Sequence, residues 1–418
     1  MKDSGVAWIG EIPKEWEVRK VKNFYTIQTG FTPDTKNDDY YSEDGFDWVT
    51  IGDLNGSKFI PQKTSRRISK TYVESFSPAY VPAGSLLYTF KLSVGQVAFT
   101  DRNIYTNEAI ASFLKRDNDD LRFLYYSSSL IIGNANENIY GAKILNQNLI
   151  LNAPIVYPTL AEQRRIADYL DAACSKVDAL IGNQQKQIEN LKAYKQSFIT
   201  ETVTRGLDPS APMKDSGVEW IGEISENFDI LPINALFSIE KRILGREPEQ
   251  VLSITQKGIV PKDITNNEGQ MADSYAHYQI VHIGDFAMNH MDLLTGGVGI
   301  SEFEGVTSPD YRVFVMKSKE LNSRYFLYVF ETYYRNRIFY AFGQGAANLG
   351  RWRLPAQNFK NILIPVPPVG MQNEIVTYLD TKCAKIDALI EIKQQKINKL
   401  TEYKKSLIYE YVTGKKEA

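Results

Sequence analysis

Few residues in this chain are placed to do chemistry, and their spacing argues against it. His277, His282 and His290 could hold a metal, but their intervals differ from the i, i+4 pair of a zinc-binding helix, and Cys174 and Cys383 lie far from them in the sequence. Pro309-Asp310 is not followed by the acidic-x-Lys of a nuclease, and no Walker loop is present. Pro367-Pro368 stands between Val366 and Val369, so the Asn/Asp-Pro-Pro-aromatic motif that grips a flipped adenine in a methyltransferase is missing. Gly343-Gln-Gly345 is a lone glycine pair, suited to close backbone approach rather than to cradling a nucleotide. These patterns predict no catalytic residue, no metal and no cofactor in this chain.

The elements that organise the chain are two long helices. Residues 160–204 return at an offset of 209: Ile166, Tyr169, Leu170, Asp171 and Cys174 recur as Ile375, Tyr378, Leu379, Asp380 and Cys383. Neither copy contains proline, so each reads as one helix. Leu170, Val177, Leu191 and Phe198 share a heptad position, and Ile166 and Leu180 fall on the position beside it. The second copy matches with Leu379, Ile386, Leu400 and Leu407 beside Ile375 and Leu389. A stripe this narrow predicts a coiled-coil seam, with the two copies as partners running antiparallel. Gln184 and Gln187, replaced by Lys393 and Lys396, make the middle polar, which would fix the register. The antiparallel arrangement puts the two cysteines toward opposite ends, which predicts no disulfide.

The repeat extends beyond the helices. MKDSGVAWIGEI at residues 1–12 returns as MKDSGVEWIGEI at 213–224, with Ala7 replaced by Glu219. The predicted organisation is a head over 1–158, a helix over 159–205, a Pro-containing linker over 206–212, a second head over 213–368 and a second helix over 369–418. The middles of the heads hardly match, yet each contains a Gly turn, a short apolar strand, a polar tip and a glycine-containing return, at 81–100 and 283–301. The fold class is therefore mixed α+β (α/β), two heads separated by two helices in an internal pseudo-two-fold repeat. A net charge of −2 excludes a uniformly basic coat but not local basic patches. Two cysteines, no apolar segment behind Lys2 and Asp3, and no membrane-length apolar run predict a cytoplasmic protein with no membrane partner.

Taken in order, the repeated start of each head, Pro158-Thr-Leu-Ala-Glu-Gln163 and Pro368-Val-Gly-Met-Gln372 before each helix, the helix sequence, and Gly345-Ala-Ala-Asn-Leu-Gly-Arg351 with Leu354 resemble the specificity subunit of type I restriction–modification systems. Two departures are visible: Met371 stands where the first copy has Glu162, and head one has Gly141-Ala-Lys-Ile-Leu-Asn146 in place of the second head's stretch. The resemblance implies two target recognition domains, each reading half of a bipartite double-stranded DNA site. It implies helices that set the half-site gap and dock two methyltransferase subunits, with restriction/translocase subunits as further partners. S-adenosylmethionine, ATP and Mg would then belong to partner subunits. On this reading the DNA contacts expected in head one are Arg66, Arg67, Lys70, Lys91 and Lys143, with Lys91 at a hairpin tip. Those expected in head two are Asn289, His290, Asn348, Arg351 and Arg353. Lysine and arginine neutralise phosphates, while arginine and asparagine also read guanine and adenine edges. The alternatives are a coiled-coil adaptor whose heads bind proteins, and a subunit of a methylation-only system. Salt-sensitive protection of a split sequence separates the first reading from the adaptor.

Overall fold

A computed structural model describes residues 1–115, 120–137, 139, 141–264, 272–345 and 352–418. The chain divides into two compact units, Met1–Gln184 with Gln395–Ala418, and Gln185–Gln394.

In the first unit, β1 (Thr26–Thr29), β2 (Leu86–Thr89), β3 (Val97–Phe99) and β4 (Ile110–Leu114) form an antiparallel sheet in the order β1-β4-β2-β3. Alternation along β2 explains why it is buried on both faces. Leu86 and Tyr88 pack with Phe113, Tyr25 and Leu124, the last from helix α1 (Leu121–Ser127), whereas Leu87 packs with Val49, Leu54 and Ile110 on the other side. The strand Glu17–Lys20 pairs with Pro154–Tyr157, so the chain enters and leaves the head side by side.

The second unit repeats this plan. β5 (Phe237–Glu240), β6 (Phe286–Met288), β7 (Val298–Ile300) and β8 (Arg312–Met316) lie in the order β5-β8-β6-β7, the same topology as in the first head. Helix α3 (Ser323–Arg335) lays Phe326 and Phe330 on this sheet, with Phe330 5.2 Å from Phe237 and 5.5 Å from Phe314. Asp229–Pro232 pairs with Leu363–Val366 and closes the head. The mixed α+β class expected from the sequence is observed in both units.

The two long helices are α2 (Leu160–Arg205) and α4 (Val369–Val412). Thr159 starts α2 with a capping box: its hydroxyl accepts from Glu162 N at 3.3 Å, and Glu162 accepts from Thr159 N at 3.1 Å. Met371 cannot supply that carboxylate in the second copy. Gly206, at φ 83°, stops α2 in the left-handed conformation glycine tolerates. The helices pair antiparallel within each unit. In the first, Lys404 Nζ bonds Asp178 at 2.7 Å and Tyr169 stacks on Tyr411 at 4.4 Å. In the second, Lys195 Nζ bonds Asp387 at 2.6 Å and Phe198 lies 5.6 Å from Tyr378. Asp178 and Lys195 recur as Asp387 and Lys404, so one ion pair is made twice by exchanged partners. Lys393 Nζ also donates to Gln187 Oε1 at 2.5 Å, a polar contact of the kind expected between the two copies.

The seam differs from the expected one at its second column. Ile166, Leu170, Val177 and Leu407 are buried, as are Ile375, Leu379 and Ile386, while Leu191, Phe198 and Leu400 are half-buried. Leu180 and Leu389, expected in the seam, are 47% and 48% exposed. Cys174 and Ile188 take the place expected of that column, and Cys383 and Ile397 do so in α4; all four are buried. Two adjacent apolar columns flank Leu170 at i±3 and i±4, and spacing alone does not say which one the partner helix covers. The head covers Ile166, beside Ile9 and Trp16, and farther along that column Leu180 is solvent-facing. Both cysteines are free thiols.

Each head is fastened to a helix by the same groups. Fully buried Gln163 donates to Pro158 O at 3.0 Å and accepts from Asp120 N at 3.3 Å; its counterpart Gln372 donates to Pro367 O at 2.8 Å and accepts from Asn322 N at 2.9 Å. Tyr126 donates to Asp171 at 2.6 Å, with Arg122 Nη1 3.6 Å from the same carboxylate. Tyr328 and Arg324 donate to Asp380 at 2.5 and 2.8 Å. Burial pushes the Asp171 carboxyl up, but the hydrogen bonds from Lys58 and Tyr126 and the charges of Lys58 and Arg122 outweigh it and leave it below the ordinary range. Gln372→Leu keeps the volume but orphans the buried Pro367 carbonyl and the half-buried Asn322 N–H, so it should cost roughly 2–4 kcal/mol, read as a lowered urea midpoint for unfolding.

Candidate nucleic-acid interface

In head one the most prominent polar loop joins β2 to β3. Thr89, fully buried at its base, donates its backbone N–H to Gln96 O at 2.9 Å and accepts on Oγ1 from Gln96 N at 3.0 Å, and Gly95 N closes onto Thr89 O at 2.9 Å. Lys91 stands exposed on this loop, the hairpin tip where the sequence placed it. Arg66 and Arg67 lie on the strand Arg66–Ile68. Arg66 is exposed over the Tyr41 ring at 5.8 Å, beside a groove of about 490 Å³ that Lys63 also lines. Arg67, half-buried, lines the same groove but is held by protein partners: it pairs with Asp47 at 3.1 Å and donates to Glu43 O at 2.9 Å. Arg102 grips the same Asp47 at 2.7 Å, so Arg67 braces the ribbon that presents Arg66. Lys70 is exposed in the first turn of the helix Lys70–Phe76, 3.6 Å from Glu74. Lys143 is exposed on a two-residue strand and paired with Glu137 at 2.5 Å.

In head two the corresponding loop joins β6 to β7. Asn289 Oδ1 accepts from Met291 N at 3.2 Å and Asp292 N at 3.3 Å, so its amide oxygen shapes the turn. Asp292 in turn accepts from Leu294 N and Thr295 N at 3.0 and 2.9 Å. Gly297 is required at the base, since a Cβ there would stand 2.3 Å from Thr255 O. His290 and Arg353 are brought together: His290 O accepts from Leu354 N at 2.9 Å, and exposed Arg353 is its chain neighbour. Asn348 and Arg351 lie outside the described residues.

Sequence reasoning missed Arg312. This buried guanidinium, on the first residue of the otherwise apolar strand β8, donates to Leu354 O at 2.8 Å and lies over the Phe359 ring at 4.7 Å. It ties β8 to the segment carrying Arg353, under His290. The only available signal was an arginine at an inward position of an otherwise apolar strand. Burial, then the charges of Arg312 and Arg353, push the His290 imidazole down to about 3, and its Nδ1 finds no hydrogen-bond partner among the described residues. His290 is therefore neutral at physiological pH and can offer one donor and one acceptor but no charge.

A second feature lies on the long helices. Leu180 and Tyr194 on α2, with Leu389, Ile392 and Tyr403 on α4, are exposed apolar or aromatic residues recurring at helical spacing. Among the described residues no cluster of His, Cys, Asp and Glu could hold a metal ion, and no helix is long and apolar enough to cross a membrane.

Two heads of identical sheet order carry unlike loops, and each head is fastened to a long helix by one buried glutamine, which is the organisation of a duplicated two-domain protein. Comparison with known proteins makes this specific. A family model described as the type I restriction modification DNA specificity domain matches residues 13–190 and 262–402. The chain therefore belongs to the family of type I restriction–modification specificity subunits. It is 31% identical over 189 residues to the type I restriction enzyme MjaIX specificity subunit of Methanocaldococcus jannaschii, covering 44% of this chain and 43% of that one, so the match spans less than half of that relative's length. It is 23% identical over 433 residues to the MjaVIII specificity subunit of the same organism, covering 97% and 93%. A solved chain from work on complex assembly and conformational transition of the type I R–M system shares the fold, with a TM-score of 0.66 at 15% identity and coverage of 97% and 99%.

Because the folded pKa of His290 lies below its unfolded value near 6.5, this group costs stability as pH falls below about 6.5, where only the unfolded chain takes up the proton. In the native protein, NMR of the His290 ring should show no titration between pH 5 and 8; a midpoint in that range contradicts the buried, cation-flanked site.

Proposed function

We propose that this chain reads a bipartite DNA site, one half with each head, while α2 and α4 hold the heads in register and dock the methyltransferase subunits. The observation that carries this reading is the repetition of one frame around two unlike loops. The frame repeats residue by residue in the buried glutamines and the Asp171 and Asp380 clamps, while Lys91 in one head and His290 with Arg353 in the other differ completely. A protein that recognised one symmetric partner would have no use for unlike readers on a symmetric frame.

In this reading Arg66, Lys70 and Lys91 contact phosphates or bases in head one, and Arg353 with neutral His290 does so in head two. Arg67, Asn289 and Arg312 act from behind, by fixing the loops and strands that carry the readers. Leu180 with Tyr403 in the first unit, and Tyr194 with Leu389 in the second, each offer an apolar face on which a helix of a methyltransferase subunit packs. Adenine methylation, and ATP-dependent cleavage where a restriction/translocase subunit joins, take place in those partners. S-adenosylmethionine, ATP and Mg are bound there, and the assembly works in the cytoplasm.

The deciding experiment is mapping of methylated bases in cells that express this chain with its methyltransferase partner. A split motif is expected, and a continuous motif or none would overturn the reading. With the site known, Lys91→Ala should weaken binding several-fold at 0.15 M salt and lower the slope of log K against log salt by about one, with folding unchanged. Undiminished affinity would remove that loop from the interface. Leu180→Asp with Leu389→Asp, both at exposed positions, should abolish co-purification with the methyltransferase subunit while leaving the thermal midpoint within about 2 °C.

A further inference from the structure

We propose that Leu92 is an apolar wedge that enters the base stack of the half-site read by head one and kinks the duplex there. The proposal rests on the reading of the heads as DNA-binding domains. It starts from exposure: Leu92 is 91% exposed, the highest value among the large apolar residues described. A leucine in water at a loop tip forgoes the stabilisation that burial gives an apolar side chain.

The backbone is also strained at this residue. Leu92 has φ 58°, and only Ser77 and Arg337 share a positive φ among the described non-glycine residues. The left-handed conformation crowds a side chain with a Cβ, and such strain persists only where the surroundings hold it. Here they do. Val94 N donates to Leu92 O at 2.8 Å, the Thr89 hydroxyl donates to Ser93 O, and Phe90, buried at the loop's foot, donates its N–H to Ala109 O at 3.0 Å. The tip is a rigid pedestal, and its one projecting apolar group is flanked by Lys91, whose ammonium suits the neighbouring phosphate.

Head two supplies a contrast. Its β6–β7 loop differs in sequence and length, is built on other hydrogen bonds, and carries Leu294, 53% exposed, at a groove that Lys192, Lys195 and Ile390 of the long helices also line. Among the described residues Leu92 has no such neighbour and stands alone at its tip. Apolar side chains of this kind inserted at a base step unstack it and bend the duplex. Pyrimidine–purine steps yield most readily. Leu92 would thus add selectivity at a step where it makes no hydrogen bond.

The test uses the full chain assembled with its methyltransferase subunit, on duplexes carrying the mapped site. 2-Aminopurine is placed at successive positions of the head-one half-site, omitting the adenine that is methylated. The wild-type complex should raise fluorescence at one step. Leu92→Ala should abolish that rise and weaken binding about tenfold, Leu92→Met should restore both, and signals in the other half-site should not change. Specific binding with flat fluorescence at every step, or a rise that survives in Leu92→Ala, overturns the wedge and leaves the DNA-reading function standing. Failure of the wild-type assembly to bind the site specifically overturns both.

Discussion

Neither long helix can bury its apolar column alone, and everything else in the structure depends on the antiparallel pairing that solves this. Exposed ion pairs such as Asp178–Lys404 and Lys195–Asp387 add at most about 1 kcal/mol each, so they choose the register rather than drive association. The drive comes from Leu170, Val177, Leu379, Ile386 and Leu407, each worth about 1.5–3 kcal/mol when fully buried. The Lys393–Gln187 contact interrupts this apolar run and gives the register a polar marker.

The pairing has a consequence for how each unit is built. The core of the first unit takes Leu407, Tyr411 and Val412 from the far end of the chain, together with Ile166 and Leu170 from the start of its own helix. The second takes Ile199 and Val203 from the end of α2, together with Ile375 and Leu379 from the start of α4. Tyr325 makes the dependence explicit, since its hydroxyl bonds both Val203 O, at the end of one helix, and Pro365 O, just before the other. The first unit therefore cannot be completed until residues some four hundred apart in sequence have met, a contact order that favours slow, concerted assembly.

On this frame the division of labour follows from what each position must do. Gln163 and Gln372 are fully buried and hydrogen-bonded on both sides of the amide, so no other side chain of that volume satisfies both partners. Asp171 and Asp380 each receive a tyrosine hydroxyl and face an arginine from the head's own helix. Loop tips carry no such obligation. Their backbones are closed from below, by Thr89 in one head and by Asn289 and Asp292 in the other, which leaves the outward side chains free to differ.

What was legible in the sequence is what repetition and period can carry. The two helices, the two heads, the hairpin tip holding Lys91 and the antiparallel partnership all follow from an offset, a heptad and a pattern of glycines. The absence of enzymatic motifs pointed away from catalysis, in keeping with a family whose members confer specificity. Tertiary structure alone decided which apolar column faces the partner helix, because Leu180 and Cys174 are both compatible with the same spacing and only the position of a second helix distinguishes them. It alone separated Arg66 from Arg67, neighbours in sequence, by giving one to solvent and the other to Asp47. It alone revealed Arg312 beneath His290. Burial and pairing belong to groups brought together from distant parts of the chain, and no local pattern encodes which distant group will arrive.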